Sequence, residues 1–427
     1  MQRLGKILSR HAALPIFILA LLLIASQFML VHADNDNGVF YLKDHEGEQA
    51  ALSDVTISGE LGDGFHSTLF KLFDGKVTTG TKLFDPPRAV WYNSTQPDKL
   101  KGKWRFDNIF SPDSIVARDP NDPGSYWQAS VHPNITEYDD SNQPRSDNTA
   151  TYTNRLEYGL ASVGDQYYFA VPSTNRYVGT SGIYALTFTS GRDYKGQLPE
   201  SEALATFSLD KNKGDGSSEI QVLGLEAVGG KLALVLEEDQ KLVIRSYDSK
   251  SGELLGEAAV SGFSISGSAK AVQGRSFYES YESYSDSVSN TLCLAFMSNP
   301  DQGQVRKTVW SFDLANGVKL LDETAVTYPD DMESNLRDLK SANYANGRLY
   351  VIYQSTETKV ESNIVFDIAR PKHLMIRVYK ASKLQYEGEL VTDRNQDGNR
   401  VEHLATSYDY DPMHNREFEN IRIRPAE

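Results

Sequence analysis

From Ile220 to Val260 the apolar and polar positions read as four short strands with turn signals between them. Ile220 to Val228 is apolar-rich, and Gly229-Gly230 predicts a tight turn. Lys231 to Glu237 carries aliphatic residues at almost every position, the mark of a strand covered on both faces rather than one. Lys241 to Tyr247 alternates, Ser249 to Gly252 predicts another turn, and Leu254 to Val260 supplies a fourth strand. Such a unit has two apolar faces and cannot cover both alone, so it requires neighbours of its own kind.

The pattern recurs. Leu156 to Val163, Asp165 to Pro172, Ser181 to Phe188 and Glu202 to Leu209 make one earlier set. Asn290 to Met297, Thr308 to Leu314 and Lys319 to Val326 follow, and then Leu339 to Tyr344, Asn346 to Gln354, Leu374 to Lys380 and Tyr386 to Val391. Second strands aligned at Gln166, Lys231, Thr291 and Arg348 lie 65, 60 and 57 residues apart. Near-constant spacing of four-strand units predicts a repeat fold, and about 40 residues per sheet is the size of a β-propeller blade. The expected fold is all-β: a β-propeller of six or seven four-stranded blades, with a β-sandwich or a two-domain all-β chain as the alternative. The chain resembles β-propellers from roughly Leu156 to Leu390, with clearest repeats at 156–209, 220–260, 264–326 and 338–390. The paired Gly-His and Trp-Asp signature of WD40 repeats does not recur.

The N-terminal third is less regular. Val55 to Leu61, His66 to Gly75, Lys76 to Phe84, Arg88 to Asn93, Lys103 to Phe106, Ser114 to Arg118 and Ser125 to Val131 look like strands, interrupted by Pro86-Pro87 and the polar tract Pro133 to Thr149. At the other end, Val401 to Tyr408 and Glu417 to Ile423 make about half a blade. Val39 to Leu42 and Val55 to Gly59 are expected to supply the missing strands, so the two ends of the chain are expected to pair and close the ring.

The first 33 residues differ from the rest. Arg3, Lys6 and Arg10 precede Ala12 to Val31, an uncharged apolar run long enough to span a bilayer as a helix. Basic residues before it and Asp34 to Asn37 after it place the N-terminus inside and the body outside. Val31-His32-Ala33 also offers small residues where a signal peptidase reads. The expectation is an extracytoplasmic body (34–427), anchored to the membrane by residues 12–31 or secreted after cleavage at Ala33. The whole chain of 427 residues carries a formal charge of −15, and the body without its basic leader carries −18. That charge disfavours nucleic acid and anionic lipid. Cys293, the one cysteine, stands in an apolar strand and reads as a small buried hydrophobe, so the body is expected to hold together without disulfides.

Catalytic signatures are absent: no G-x-S-x-G elbow, no P-loop, no C-x-x-C, and His45-Glu46 lacks the second histidine of H-E-x-x-H. Two strings of oxygen-bearing side chains ending in glycine could wrap a calcium ion. They are Asp393, Asn395 and Asp397 before Gly398, and Asp210, Asn212 and Asp215 before Gly216. Leu404 occupies the position where an EF-hand has its bidentate glutamate, and ordinary turns favour the same residue types. Asp330, Asp331 and Glu333 belong to an acidic loop set suited to a partner. Tyr278, Tyr281 and Tyr284, three apart in a Tyr-Glu-Ser repeat, are candidates for a stacking platform or a solvated hairpin extension. The sequons at Asn93 and Asn134 matter only in a glycosylating host. The expected function is that of a non-enzymatic binding or scaffold module whose acidic loop face recognises a partner protein, calcium assisting. The alternative is a hydrolase or lyase acting on extracellular polysaccharide or peptide, and two converging carboxylates would favour it.

Overall fold

The computed structural model describes residues 38–87, 156–191, 198–210, 220–265, 276–298, 306–328, 339–356, 372–394 and 416–426, with shorter runs between 100 and 145. Among them there is no α-helix, and the strands form six sheets, within the expected count of blades. In hydrogen-bonding order, sheet I is Glu417–Pro425, Val55–Gly62, His66–Phe73 and Lys76–Leu83. Sheet II is Leu100–Lys101, Trp104–Phe106, Ile115–Asp119, Asp122–Ala129 and Thr189–Ser190. Sheet III is Leu160–Val163, Gln166–Ala170, Tyr177–Ala185 and Ala203–Ser208, with Asn134–Glu137 also paired to Tyr177–Ala185. Sheet IV is Ile220–Val228, Lys231–Glu238, Lys241–Asp248 and Leu254–Ser261. Sheet V is Ser264–Ile265, Ser276–Asp286, Thr291–Ser298, Arg306–Asp313 and Lys319–Thr327. Sheet VI is Leu339–Ala345, Arg348–Thr356, Lys372–Lys380, Lys383–Thr392 and Phe40–Gly47.

Each sheet is an antiparallel meander of the kind that builds propeller blades, apart from the short parallel pairing of Ser264–Ile265. Second strands begin at Gln166, Lys231, Thr291 and Arg348, the four positions at which the sequence repeat aligns. The hairpins are closed by turns whose twist suits the strands: Asp239-Gln240 and Asn346-Gly347 both hold two successive residues at positive φ.

Two compact units divide the chain. One comprises residues 1–92, 352–376 and 386–427; the other comprises 93–351 and 377–385. In the second unit, sheets II to V pack face to face in chain order, and strand alternation explains how. Leu232, Leu234 and Leu236 join Tyr168, Ile183 and Phe207 of sheet III in one core. Ala233 and Val235, pointing the other way, join Phe277, Leu294, Phe296 and Trp310 of sheet V in the next. The strand Lys231–Glu238 is therefore buried on both faces, as its unbroken aliphatic run predicts. In the same way Tyr168 faces sheet IV while Tyr167 and Phe169 pack with Phe106, Ile115 and Ala117 of sheet II.

In the first unit the two ends of the chain pair with each other's neighbours. Val55–Gly62 runs antiparallel to Glu417–Pro425, with Ile57 opposite Ile423 and Leu61 opposite Phe418. Phe40–Gly47 adds an edge strand to Lys383–Thr392, and Phe40 stacks on Phe70 with ring centroids 6.1 Å apart. Val55–Gly62 thus meets the half-blade it was expected to complete, whereas Phe40–Gly47, expected in that same blade, lies at the edge of the sheet that contains Lys383–Thr392.

Several boundaries differ from expectation. Leu156–Gly159 is a 3-10 turn, so the strand begins only at Leu160. The polar tract after Pro133 contains the short strand Asn134–Glu137. The tyrosine tract is not a hairpin extension: Ser276–Asp286 is itself the first full-length strand of sheet V, since its aromatics pack inward against sheet IV. The apolar leader 12–31, the strand expected at 88–93 and that at 401–408 lie outside the described residues. No helix among the described residues is long and apolar enough to cross a membrane.

Because Leu234 is fully buried between two sheets, Leu234→Ala should cost about 2–5 kcal/mol of stability. Leu254→Ala, at a position 52% exposed on an outer strand, should change stability by no more than about 0.5 kcal/mol. Urea denaturation of the two variants checks this, and equal midpoints would contradict the stacked-sheet core.

Candidate functional site

At the end of sheet IV remote from the Gly229-Gly230 turn, Gln221 and Glu237 stand directly opposite each other on neighbouring strands. Both are buried, and the Gln221 Nε2 donates to Glu237 Oε2 at 2.6 Å. Glu237 shares the face of Ala233 and Val235, so its carboxyl is directed at sheet V. There the backbone N–H of Ile265 bonds to it and Glu279 of Ser276–Asp286 sits close enough to repel its charge. Burial does most to push the Glu237 carboxyl up, to about 7, with Glu279 adding to the effect and the Ile265 N–H opposing it. Glu237 therefore changes charge near neutral pH. The strand bearing it reads as a buried aliphatic run, and the glutamate that ends that run on an inward-facing parity is the signal in the sequence that points to it.

Gln221 and Glu279 also line a concavity of about 280 Å³, counting space open to solvent, together with Ser173, Thr174 and the start of sheet IV's first strand. Ser173 is fixed there by two backbone bonds with Val222, 3.0 and 2.9 Å long. Its side-chain hydroxyl is buried with no bonding partner. Residues of sheets III, IV and V, with Gln221 and Glu279 among them, thus meet at one opening.

Other ionisable groups act as fastenings between strands. The Tyr281 hydroxyl donates to Glu226 at 3.0 Å, and burial foremost, then the Glu226 charge, raises its pKa well above the ordinary phenol range. Gly224 makes this possible: a Cβ there would lie 2.0 Å from the Tyr281 hydroxyl. In the first unit Asp63 is fully buried, a position that by itself disfavours ionisation. Bonds from the His66 ring and from the backbone N–H groups of His66 and Phe65 outweigh this and hold its carboxyl well below the usual range. Arg416, just before Glu417–Pro425, donates to Asp63 at 3.1 Å and also contacts His66 Nε2. Both ring nitrogens of His66 are thus engaged, which leaves no lone pair for base chemistry. His45, Glu389 and His373 form a second trio across three adjacent strands of sheet VI, with bonds of 3.1 and 2.7 Å. Burial opposes ionisation of Glu389, but the two histidines more than compensate and lower its pKa.

The sequence-predicted residues fare differently. Asp393 accepts the Val39 N–H at 2.9 Å, just before Phe40–Gly47, and Asp210 accepts the N–H of Gly179, within Tyr177–Ala185, at 2.7 Å. Asn395, Asp397, Asn212 and Asp215 lie outside the described residues, as do Asp330, Asp331 and Glu333. Among the described residues no three His, Cys, Asp or Glu side chains are placed to hold a metal ion. Tyr278 is exposed, Tyr281 is core, and the Tyr284 hydroxyl donates to the Leu339 carbonyl at 2.6 Å, so the three do not form one stacking surface. Cys293 is a buried free thiol, and burial pushes its pKa up to about 12, matching its reading as a small hydrophobe.

No protein-family model and no curated protein matches the chain. Among solved structures it is similar to the β-propeller domain of Nup133 from Vanderwaltozyma polyspora. That match has 9% identity over 83% of this chain and 97% of the other, with a TM-score of 0.28. The WD40 domain of coronin from Toxoplasma gondii matches at 9% identity over 84% of this chain and 91% of its own, with a TM-score of 0.26. A prolyl endopeptidase matches at 10% identity over 78% of this chain with a TM-score of 0.25, and the chain spans 42% of that protein's length.

Glu237 should make stability depend on pH. Its carboxyl ordinarily ionises near 4.5 when unfolded and near 7 when folded, so the folded state keeps a proton that the unfolded state releases between those values. The resulting penalty is absent below pH 4.5, grows as pH rises, and is complete above 7 at roughly 3 kcal/mol at most. Glu237→Gln should therefore raise the melting temperature at pH 8 and leave it unchanged at pH 4.5. A variant with the same effect at both values would show that Glu237 does not titrate in this window.

Proposed function

We propose that this chain is an extracytoplasmic binding or scaffold module, which recognises a partner protein through acidic loops, with calcium assisting. The observation that carries this reading is the employment of its charged groups. The Asp63–His66–Arg416 and His45–Glu389–His373 trios and the Glu226–Tyr281 pair are committed to holding strands in place. A stiff stack of blade-like sheets fixes the loops it carries, and loops on such scaffolds are where recognition resides. The net charge of −15 favours basic partners.

A hydrolase or lyase is the second reading, favoured by the Glu237 and Glu279 pair, since a carboxyl ionising near 7 beside another acid suits general acid–base work. Against it, Glu237 is buried and bonded to Gln221, and Glu279 is the carboxylate that lines the opening.

Immobilised full-length chain should bind a Lys- and Arg-rich peptide, and not a Glu-rich one of equal length, in a manner weakened by salt. Replacing Asp330, Asp331 and Glu333 together by Lys should weaken that binding by about 10-fold. Binding of both peptides alike, or none of the basic one, would refute the reading.

For the cation, millimolar calcium should raise the melting temperature of the full chain, and Asn395→Ala with Asp397→Ala should remove the rise while leaving the Asp393 cap in place. Absence of any calcium-dependent shift in the unmodified protein would eliminate calcium from the proposal.

A further inference from the structure

We propose that the outward face of sheet I, where Leu69, Lys71 and Phe73 alternate beside Arg422, Arg424 and Lys76, is a docking surface for an extended acidic segment of a partner protein that carries apolar side chains between its carboxylates. This surface is separate from the acidic loops and opposite to them in sign. Sheet I lies wholly within the first compact unit. One of its faces is core: Ile57, Phe70, Leu72, Phe418 and Ile423 are buried there, and Phe40 stacks on Phe70. The other face is open. The third strand of sheet IV, Lys241–Asp248, is buried on both sides, whereas in the third strand of sheet I burial alternates residue by residue from Thr68 to Phe73.

Register fixes what the open face presents. Residues directly opposite on paired strands share a face, so one row reads Arg422, Ser58, Lys71 and Thr78, and the next reads Arg424, Thr56, Phe73 and Lys76. All four cations are exposed, and among the described residues no side-chain hydrogen bond or ion pair holds any of them. Arg245, Lys307 and Lys372, by contrast, are each paired with a glutamate. Leu69 and Phe73 are 47% and 44% exposed, with Lys71 between them on the same face, and a lysine stem is itself apolar. The acids of this face, Glu60 and Glu419, stand opposite each other one row further on, beside Leu69, where the Ser67 hydroxyl and the Asn420 amide donate to Glu60.

Spacing and charge together select the occupant. Same-face residues along a strand recur about 6.6 Å apart, which is also the repeat of an extended ligand. A segment with apolar, acidic and apolar side chains on one side therefore matches Leu69, Lys71 and Phe73 in order. Arg422 and Arg424, two strands across and about 9.5 Å away, have side chains long enough to meet further carboxylates. Other polyanions fit less well. An anionic polysaccharide answers the cations but leaves Leu69 and Phe73 facing water. A lipid surface extends far beyond the patch and meets the charge of −15 on the whole chain, while a short segment meets only the local field, which salt limits to about 8–10 Å.

The test uses the full chain and a fluorescent peptide of Glu-Glu-Leu-Phe repeats, followed by anisotropy at about 0.05 M salt. In extended form that repeat sets carboxylates and apolar groups alternately along each side. Binding is expected, and it should be several-fold weaker at about 0.3 M salt. An all-Glu peptide of equal length lacks the apolar contacts, is repelled by the net charge and should not bind. Lys71→Glu with Arg422→Glu should weaken binding of the mixed peptide at least about 10-fold, and Leu69→Thr with Phe73→Thr about 5-fold. Thermal melts should stay nearly unchanged, since all four side chains are exposed. The triple Lys replacement at Asp330, Asp331 and Glu333 should leave this binding intact. Undiminished binding by either double variant, or equally tight binding of the all-Glu peptide or of a sulfated polysaccharide, would overturn the proposal. Cosedimentation with phosphatidylglycerol vesicles that Leu69→Thr with Phe73→Thr abolishes would also overturn it, by assigning the face to lipid. So would no binding of the mixed peptide to the unmodified chain, and the basic-peptide assay would then still decide the acidic-loop reading separately.

Discussion

The burial of both faces of one sheet by its two neighbours is the constraint on which the rest of this structure depends. A four-stranded meander with aliphatic residues on both sides gains nothing by being formed alone, because half its apolar surface would stay wet. Lys231–Glu238 shows the solution: its even-numbered leucines pack toward sheet III and its odd-numbered Ala233 and Val235 toward sheet V. The aromatic group Phe263, Phe277, Phe296 and Trp310 fills the second of these interfaces with edge-to-face and stacked contacts. Each sheet is thus a condition for the next.

That constraint also governs where charge can sit. A polar group between stacked sheets must be bonded or must lose its charge, and both outcomes occur. Asp63 keeps its charge because two backbone N–H groups and the His66 ring donate to it, while Arg416 adds a fourth donor from a distant segment. Glu237 has an amide and one backbone N–H, with another carboxylate nearby, and its ionisation is deferred to about pH 7. The difference between a fastening and a responsive group lies in how many donors the fold brings to the carboxylate. Glu237 is bonded to Gln221, which lines an opening to solvent where residues of three sheets meet.

Much of the architecture was legible because sheet formation follows local periodicity. The aligned positions Gln166, Lys231, Thr291 and Arg348 all begin second strands, and the terminal segments around Ile57 and Ile423 pair as their half-blade lengths implied. Misreadings fell where composition and environment diverge. The Tyr-Glu-Ser repeat is polar enough to suggest a solvated extension, yet Tyr281 is core, because Gly224 on the facing strand leaves room for its ring and Glu226 accepts its hydroxyl. Asp210 and Asp393, read as candidate cation ligands, each receive a backbone N–H through one carboxylate oxygen, and the rest of both strings lies outside the described residues.

The chain's own order of residues determined the strands, their turns, the two-sided burial of Lys231–Glu238 and the isolation of Cys293, since each follows from side-chain alternation or from the chemistry of neighbours in sequence. Only the tertiary structure decided which acids meet which donors. Ser173, Gln221, Glu237 and Glu279 are spread over more than a hundred residues, and nothing in the spacing of one strand's side chains reveals what the next sheet will set against them. Their shared environment is a property of sheets packed face to face, and it exists only once that packing is complete.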